Sequence, residues 1–180
     1  MNHPYTELHV LYPPLAVCFY AVIGHLTMPF VDHSTGDIYI DMYNSQIPMM
    51  VFALFICISI FLLISTLKKP LIETFGGRKS TLFVFLGLLS FPMIIAVQNG
   101  NSIICMVFLT VLFLLGYNSE KKIIRYLAYL CLGIVAGFKI MPAILALLII
   151  REKRYKEFVA CAAIIAALVF VPIIFTDGTI

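Results

Sequence analysis

The sequence predicts an all-α, polytopic integral membrane protein. The prediction comes from the blockwise distribution of apolar residues, the confinement of Lys and Arg to short clusters between the blocks, and one lysine left inside an apolar run. Of 180 residues, 62% are hydrophobic and 12% charged, and mean hydropathy is +1.06, a composition foreign to soluble domains. The blocks are long enough to cross a hydrocarbon core of about 30 Å as helices, which satisfy every backbone polar group internally. The net charge of +3 reflects the inter-block clusters rather than a basic face, so nucleic acid is not an expected partner. Residues 1–10, MNHPYTELHV, lack the basic region and small-residue site of a cleavable signal. They read like a loop, as if an upstream segment were missing.

The chain divides into an outer-face loop, 1–46, and a transmembrane helical domain, 47–180. Residues 11–30 are apolar and aromatic but hold Pro13, Pro14, Gly24, His25 and Pro29, which suits a juxtamembrane helix better than a span. Residues 31–46 carry Asp32, Asp37 and Asp41 and no Lys or Arg. A clean span follows at 47–67, with Pro48 in its first turn where proline is tolerated. Lys68-Lys69-Pro70 is expected to end it, and Gly76-Gly77 to turn the following loop. Spans at 81–98 and 102–117 flank a tight turn marked by Asn99-Gly100. After the polar break 118–122 comes an apolar run, 123–150, then the basic cluster 151–156, and a last span at 157–176.

Past Arg125 near its start, the run 123–150 holds a single charge, Lys139. A lysine at the centre of a span costs about 2.5–3.5 kcal/mol on insertion scales, which makes it a functional-site candidate. Gly137 and Pro142 flank it and favour a bend. Lys and Arg near spans prefer the cytoplasmic side. If 123–150 were one kinked helix, the cluster 151–156 would fall outside. If the chain turns at Gly137–Pro142 and returns, every Lys and Arg except Lys139 falls inside with Glu73, Glu120, Glu152 and Glu157, while Glu7, Asp32, Asp37, Asp41 and Asp177 lie outside. Charge sorting favours the short-helix pair, 123–137 and 140–150. Its cost is length: at ~1.5 Å per residue the halves reach about 22 and 16 Å, so the turn must line a water-filled cavity.

A cation in an outward cavity suits an anionic group, phosphate foremost; a lysine snorkelling from a helix end is the bland alternative. Gln98 and Asn101 lie on the same outer side by this topology, where their amides suit hydroxyl-rich ligands unless they only build the turn. His3, His9, His25 and His33 gather near Asp32 and Asp37 but lack metal-ligand spacing, so no metal is expected. Cys18, Cys57, Cys105, Cys131 and Cys161 read as small buried hydrophobes.

Three ordered stretches carry a resemblance. Tyr12-Pro13-Pro14-Leu15 precedes an aromatic segment, Gly100-Asn101 follows Ser90-Phe91-Pro92 at the mouth of a span, and Gly137-Phe138-Lys139-Ile140-Met141-Pro142 precedes a short helix and a basic cluster. Together, from Tyr12 to Pro172, they resemble glycosyltransferase family 87, of the GT-C superfamily of membrane glycosyltransferases. The resemblance implies a GT-C-like partial bundle in the cell membrane with its active side outside. It implies a donor of the polyprenyl-phosphate sugar class, as in mannosyltransferases of that family, and a cell-envelope glycan or glycolipid acceptor. No cofactor is implied. By the same resemblance Lys139 binds the donor phosphate, and Gln98, Asn101 and Tyr12 are substrate-binding candidates. GT-C enzymes generally use an acidic residue of the first outer loop as base; Glu7 does not match that position, so the catalytic residue is unassigned and the chain reads as a piece of such an enzyme or a degenerate copy. The competing functions are a transporter or flippase component for an anionic or lipid-linked substrate, and a non-catalytic membrane partner. Against transport, no inverted repeat is visible in the sequence.

Overall fold

The computed structural model describes residues 13–31, 41, 45–98 and 101–173. These are helical throughout, with no strand among them: α1 (Pro14–Thr27) with a 3-10 turn (Met28–Phe30), α2 (Gln46–Phe75), α3 (Gly77–Leu88), α4 (Phe91–Gln98), α5 (Ile103–Gly116), α6 (Lys122–Phe138), a second 3-10 stretch (Met141–Ala146), α7 (Leu147–Arg151) and α8 (Tyr155–Phe170). The chain forms two compact units, Asp32–Val111 on the one hand and Met1–Val31 with Leu112–Ile180 on the other.

In the unit Asp32–Val111, α2 is the one described helix long and apolar enough to cross a membrane. Its 30 residues reach about 45 Å at ~1.5 Å per residue, more than the ~30 Å of a hydrocarbon core. Ile56 and Leu63 are buried with Ile104 of α5. Elsewhere Met49, Met50, Leu54 and Phe61 stand more than 60% exposed, an apolar surface suited to lipid rather than water. Contrary to the sequence expectation, Lys68-Lys69-Pro70 does not end this helix, and Pro70 lies inside it. A proline deletes one donor and crowds only the preceding turn, so the chain beyond it continues helical. Thr74 Oγ1 donates back to the Pro70 carbonyl at 2.8 Å. The helix stops at Gly76, whose φ of 80° and ψ of 160° are reserved in practice for glycine.

The expected single span 81–98 is two helices. Leu89 and Ser90 break it, with Ser90 Oγ donating to the Gly87 carbonyl at 2.7 Å, while the Ser90 carbonyl accepts from Met93 N and Ile94 N at 2.9 and 3.1 Å to start α4. Pro92 supplies the cause, since it has no N–H to give the Leu88 carbonyl and its ring crowds that preceding turn.

In the other unit, α6 and α8 form the centre. Along α6 the buried positions are Ala128, Tyr129, Leu132, Gly133, Val135, Ala136, Gly137 and Phe138; 128, 129, 132, 133 and 136 keep the helical spacing of one packed face, and the last turn is buried all round. Tyr129 meets Glu157, Gly133 meets Ile164 and Leu168, and Gly137 meets Leu168. Position numbers rise together in both helices, so α6 and α8 run parallel. A parallel pair needs a return between them, and residues 139–154 supply it. Ala146 and Ile149 pack into the cluster of Phe113, Ala128, Tyr129, Leu132 and Cys161, beside the first half of α6. The return is not the plain α-helix expected over 140–150: its first six residues are 3-10, opened by Pro142 near the start.

Candidate functional site

The site is built from the end of α6 upward. The last helical residue is Phe138, and Lys139 leaves the helix in extended backbone, φ −147° and ψ 116°, its N–H donating to the Val135 carbonyl at 2.8 Å. A cation one step past a helix C-terminus is favoured by the unpaired carbonyls there, by about 0.3–1 kcal/mol. The Lys139 side chain is exposed, and among the described residues it has no ion-pair partner. Ile140 and Met141, at 63% and 83% exposure, continue the surface as bare apolar side chains beside the ammonium.

The floor beneath Lys139 is tightly packed. Gly137 has room for no side chain: a Cβ there would lie 2.5 Å from Leu15 Cδ2, 3.0 Å from the Leu168 carbonyl oxygen and 3.3 Å from Leu15 Cβ. The Phe138 ring meets Phe19 edge-on at 5.4 Å, and Cys18 Sγ reaches the Pro172 carbonyl at 4.0 Å. The start of α1, immediately after Pro13, is therefore seated on the end of α6 and on the last turns of α8. Two stretches singled out in the sequence, Tyr12-Pro13-Pro14-Leu15 and Gly137–Pro142, thus converge through Leu15 and Gly137.

Tyr12 itself lies outside the described residues, as do Asn99 and Gly100. Gln98 is exposed at the end of α4, and Asn101 is half-buried just ahead of α5; both belong to the unit Asp32–Val111. Of the four histidines only His25 is described, in α1, and the other three lie outside the described residues. The cysteines correct their expectation. All five are free, but Cys161 alone is buried and Cys57 is exposed, because α2 presents apolar side chains outward as well as inward.

One cluster escaped sequence reading. At the opposite end of α6, Arg125 grips Glu157 of α8 with both arms, Nε to Oε2 at 2.9 Å and Nη2 to Oε1 at 2.7 Å. Its Nη1 donates to the carbonyls of Ser119 and Glu120 at 2.9 and 3.0 Å. The fully buried Tyr129 donates its hydroxyl to Glu157 Oε2 at 2.6 Å. Both carboxylate oxygens are engaged, so Glu157 acts as a fastener rather than a base. The sequence signal was available: Glu157 is the only acid in the first turn of α8, one of the inward-sorted charges. Its partner was hidden because the pair is separated by 32 positions. The consequence is topological. The basic clusters 121–125 and 151–156 meet at one end of the unit, and Lys139 stands at the other.

The family model of glycosyltransferase family 87 matches residues 10–178. No curated protein and no solved structure matches the chain.

Proposed function

Because the chain belongs to glycosyltransferase family 87, we propose that it is a multi-pass membrane enzyme, or part of one, that transfers a sugar from a polyprenyl-phosphate donor to a cell-envelope glycan or glycolipid. In this proposal residues 1–46 form an outer-face loop with a juxtamembrane helix, residues 47–180 form the transmembrane domain, and chemistry occurs on the outer face.

The observation that carries the proposal is the state of Lys139. It is an exposed ammonium at a helix break, without a carboxylate partner among the described residues, bordered by exposed Ile140 and Met141. That pairing of one cation with bare apolar surface matches an amphiphile whose phosphate is joined to a long hydrocarbon. The topology draws support from the Arg125–Glu157 tie, since basic clusters gathered at one end belong to the cytoplasmic side. Lys139, at the other end, then faces out.

In the transfer, the acceptor hydroxyl forms a new bond to the sugar's anomeric carbon and gives up its proton, which passes through water to the departing phosphate, while the bond from that carbon to the phosphate oxygen breaks. Negative charge builds on the departing polyprenyl phosphate. Lys139, fixed by the packed Gly137–Leu15 floor, stabilises that charge, the kind of electrostatic contribution that is strongest where water is scarce. By the family resemblance alone, Gln98 and Asn101 are assigned to orient sugar or acceptor hydroxyls and Tyr12 to bind substrate.

The test is labelling of Lys139→Cys by a membrane-impermeant thiol reagent, in a background with the five native cysteines replaced by serine. Labelling from outside is expected, and labelling from the cytoplasmic side alone overturns the orientation. Lys139→Gln should weaken polyprenyl phosphate binding, and a Lys139→Gln variant that binds it as tightly as the parent overturns the role of Lys139.

A further inference from the structure

The start of α6 carries an arrangement that the sugar-transfer chemistry does not use. An open groove of about 600 Å³ runs along the outer face of α6, lined by Lys122, Ile123, Tyr126, Leu127, Leu130 and Ile164. Lys122 is its one charged wall, and its Nζ lies over the Tyr126 ring at 5.7 Å from the centroid. From there the groove is apolar to Leu130, two turns along the helix.

The headward end is electrostatically unbalanced. Lys121 is the residue before the helix and offers no side-chain cap, and the first turn of α6 holds no acidic residue. Two lysines therefore sit where the helix presents its own unpaired N–H groups and partial positive charge. The neighbouring Glu157 does not relieve this, because both its carboxylate oxygens are already held by Arg125 and Tyr129. Glu120 is exposed immediately before this turn, and its side chain forms no ion pair among the described residues. Positive potential at one end and a hydrocarbon channel leading away from it define an amphiphile with an anionic head.

We propose that this groove is a binding site for an anionic phospholipid of the surrounding bilayer, its phosphate at Lys122 and the start of α6, its acyl chain along Ile123, Leu127, Leu130 and Ile164. The site lies at the end of α6 opposite Lys139, so it is separate from the donor site. It rests on the membrane-embedded reading above, and it ties the unit to the charged leaflet through a specific contact instead of through diffuse surface charge.

The chain contains no tryptophan, so Leu130→Trp places a single fluorophore in the groove. The full chain in mixed micelles is titrated with phosphatidylglycerol or phosphatidylcholine carrying brominated acyl chains, which quench on contact. Half-quenching by phosphatidylglycerol is expected at a mole fraction about fivefold lower, the ratio given by one lysine beside an anionic headgroup. Lys122→Gln removes that preference, while Lys122→Arg and Lys153→Gln keep it. Raised salt, which screens the headgroup without altering the chain, lowers it in the parent protein. Equal quenching by the two lipids overturns the site and leaves the membrane reading standing. So does equal damage from Lys153→Gln and Lys122→Gln, which marks diffuse charge. No quenching by either lipid overturns both.

Discussion

Gly137→Ala tests whether the floor under Lys139 depends on a missing methyl group. The added carbon would meet Leu15 Cδ2 at 2.5 Å, the Leu168 carbonyl oxygen at 3.0 Å and Leu15 Cβ at 3.3 Å. The first atom is the tip of a movable side chain, but the second is backbone and the third is fixed to it. Overpacking of this kind costs about 1–3 kcal/mol. Alanine's better helix propensity offsets at most ~1 kcal/mol, and less in a last turn. The net expectation is a loss of about 1–2 kcal/mol, read as a shift in reversible SDS-driven unfolding of the helical circular dichroism signal in mixed micelles. Leu15→Ala removes the Cδ2 obstruction, so the double variant should be less destabilised than the sum of the singles, by about 1 kcal/mol. Rescue stays partial because the Leu168 carbonyl does not move away. Gly133→Ala tests the α6–α8 contact in the same way: its added carbon would meet Ile164 Cγ2 at 2.8 Å and Leu168 Cδ1 at 2.9 Å, and because the β-branched isoleucine is stiff at χ1 it should also destabilise, without rescue by Leu15→Ala. Strict additivity of Gly137→Ala and Leu15→Ala would refute the claim that α1 is seated on α6 through this pair.

Other outcomes follow from features away from the floor. Arg125→Gln strips Glu157 of its bidentate partner, and Glu157→Gln leaves the guanidinium without a counter-charge; since both side chains are under 20% accessible, each should cost about 2–3 kcal/mol. The double-mutant cycle, followed by the same unfolding assay, should return a coupling of about 1–3 kcal/mol, and a coupling near zero would remove the tie. Gly76→Ala should cost about 1–3 kcal/mol from backbone strain alone, because its φ is +80° while nothing lies within 4 Å of the added carbon. Gly77→Ala, equally uncrowded and without positive φ, should be neutral or slightly stabilising in that assay.

Sequence reasoning reached some of this structure and missed the rest for identifiable reasons. The break at Lys139 was readable because a charge within an apolar run, a glycine and a proline within six positions all argue against an uninterrupted helix. The onset of α5, α6 and α8 within a residue or two of expectation follows from sharp polar-to-apolar boundaries. Pro70 misled because proline was read as a stop, although it disturbs only the turn before it and Gly76 held the stronger signal. Pro92 misled in the opposite sense: the segment 81–98 was read as one span across it, and it divides the segment. At the candidate site, Lys139 was legible through its isolation. The contact of Leu15 with Gly137 was not, because it joins residues 122 positions apart through an atom that glycine lacks. Arg125 and Glu157 were each counted as inward charges, but pairing them needs the parallel packing of α6 and α8, which no local pattern announces.

The 3-10 winding of Met141–Ala146 sets how far the return between those helices can reach. The 17 residues of α6 climb about 25 Å, and the return has only 11 residues of helix to come back with, six of them 3-10 and five α. A 3-10 helix advances ~2.0 Å per residue against ~1.5 Å for α, so those six residues cover about 12 Å instead of about 9 Å. The tighter coil lengthens the strap by about 3 Å with no residue added. That extra half-turn of reach is what brings Ile149 level with Tyr129 and Cys161 in the shared core, and lets α8 begin low enough for Glu157 to meet Arg125.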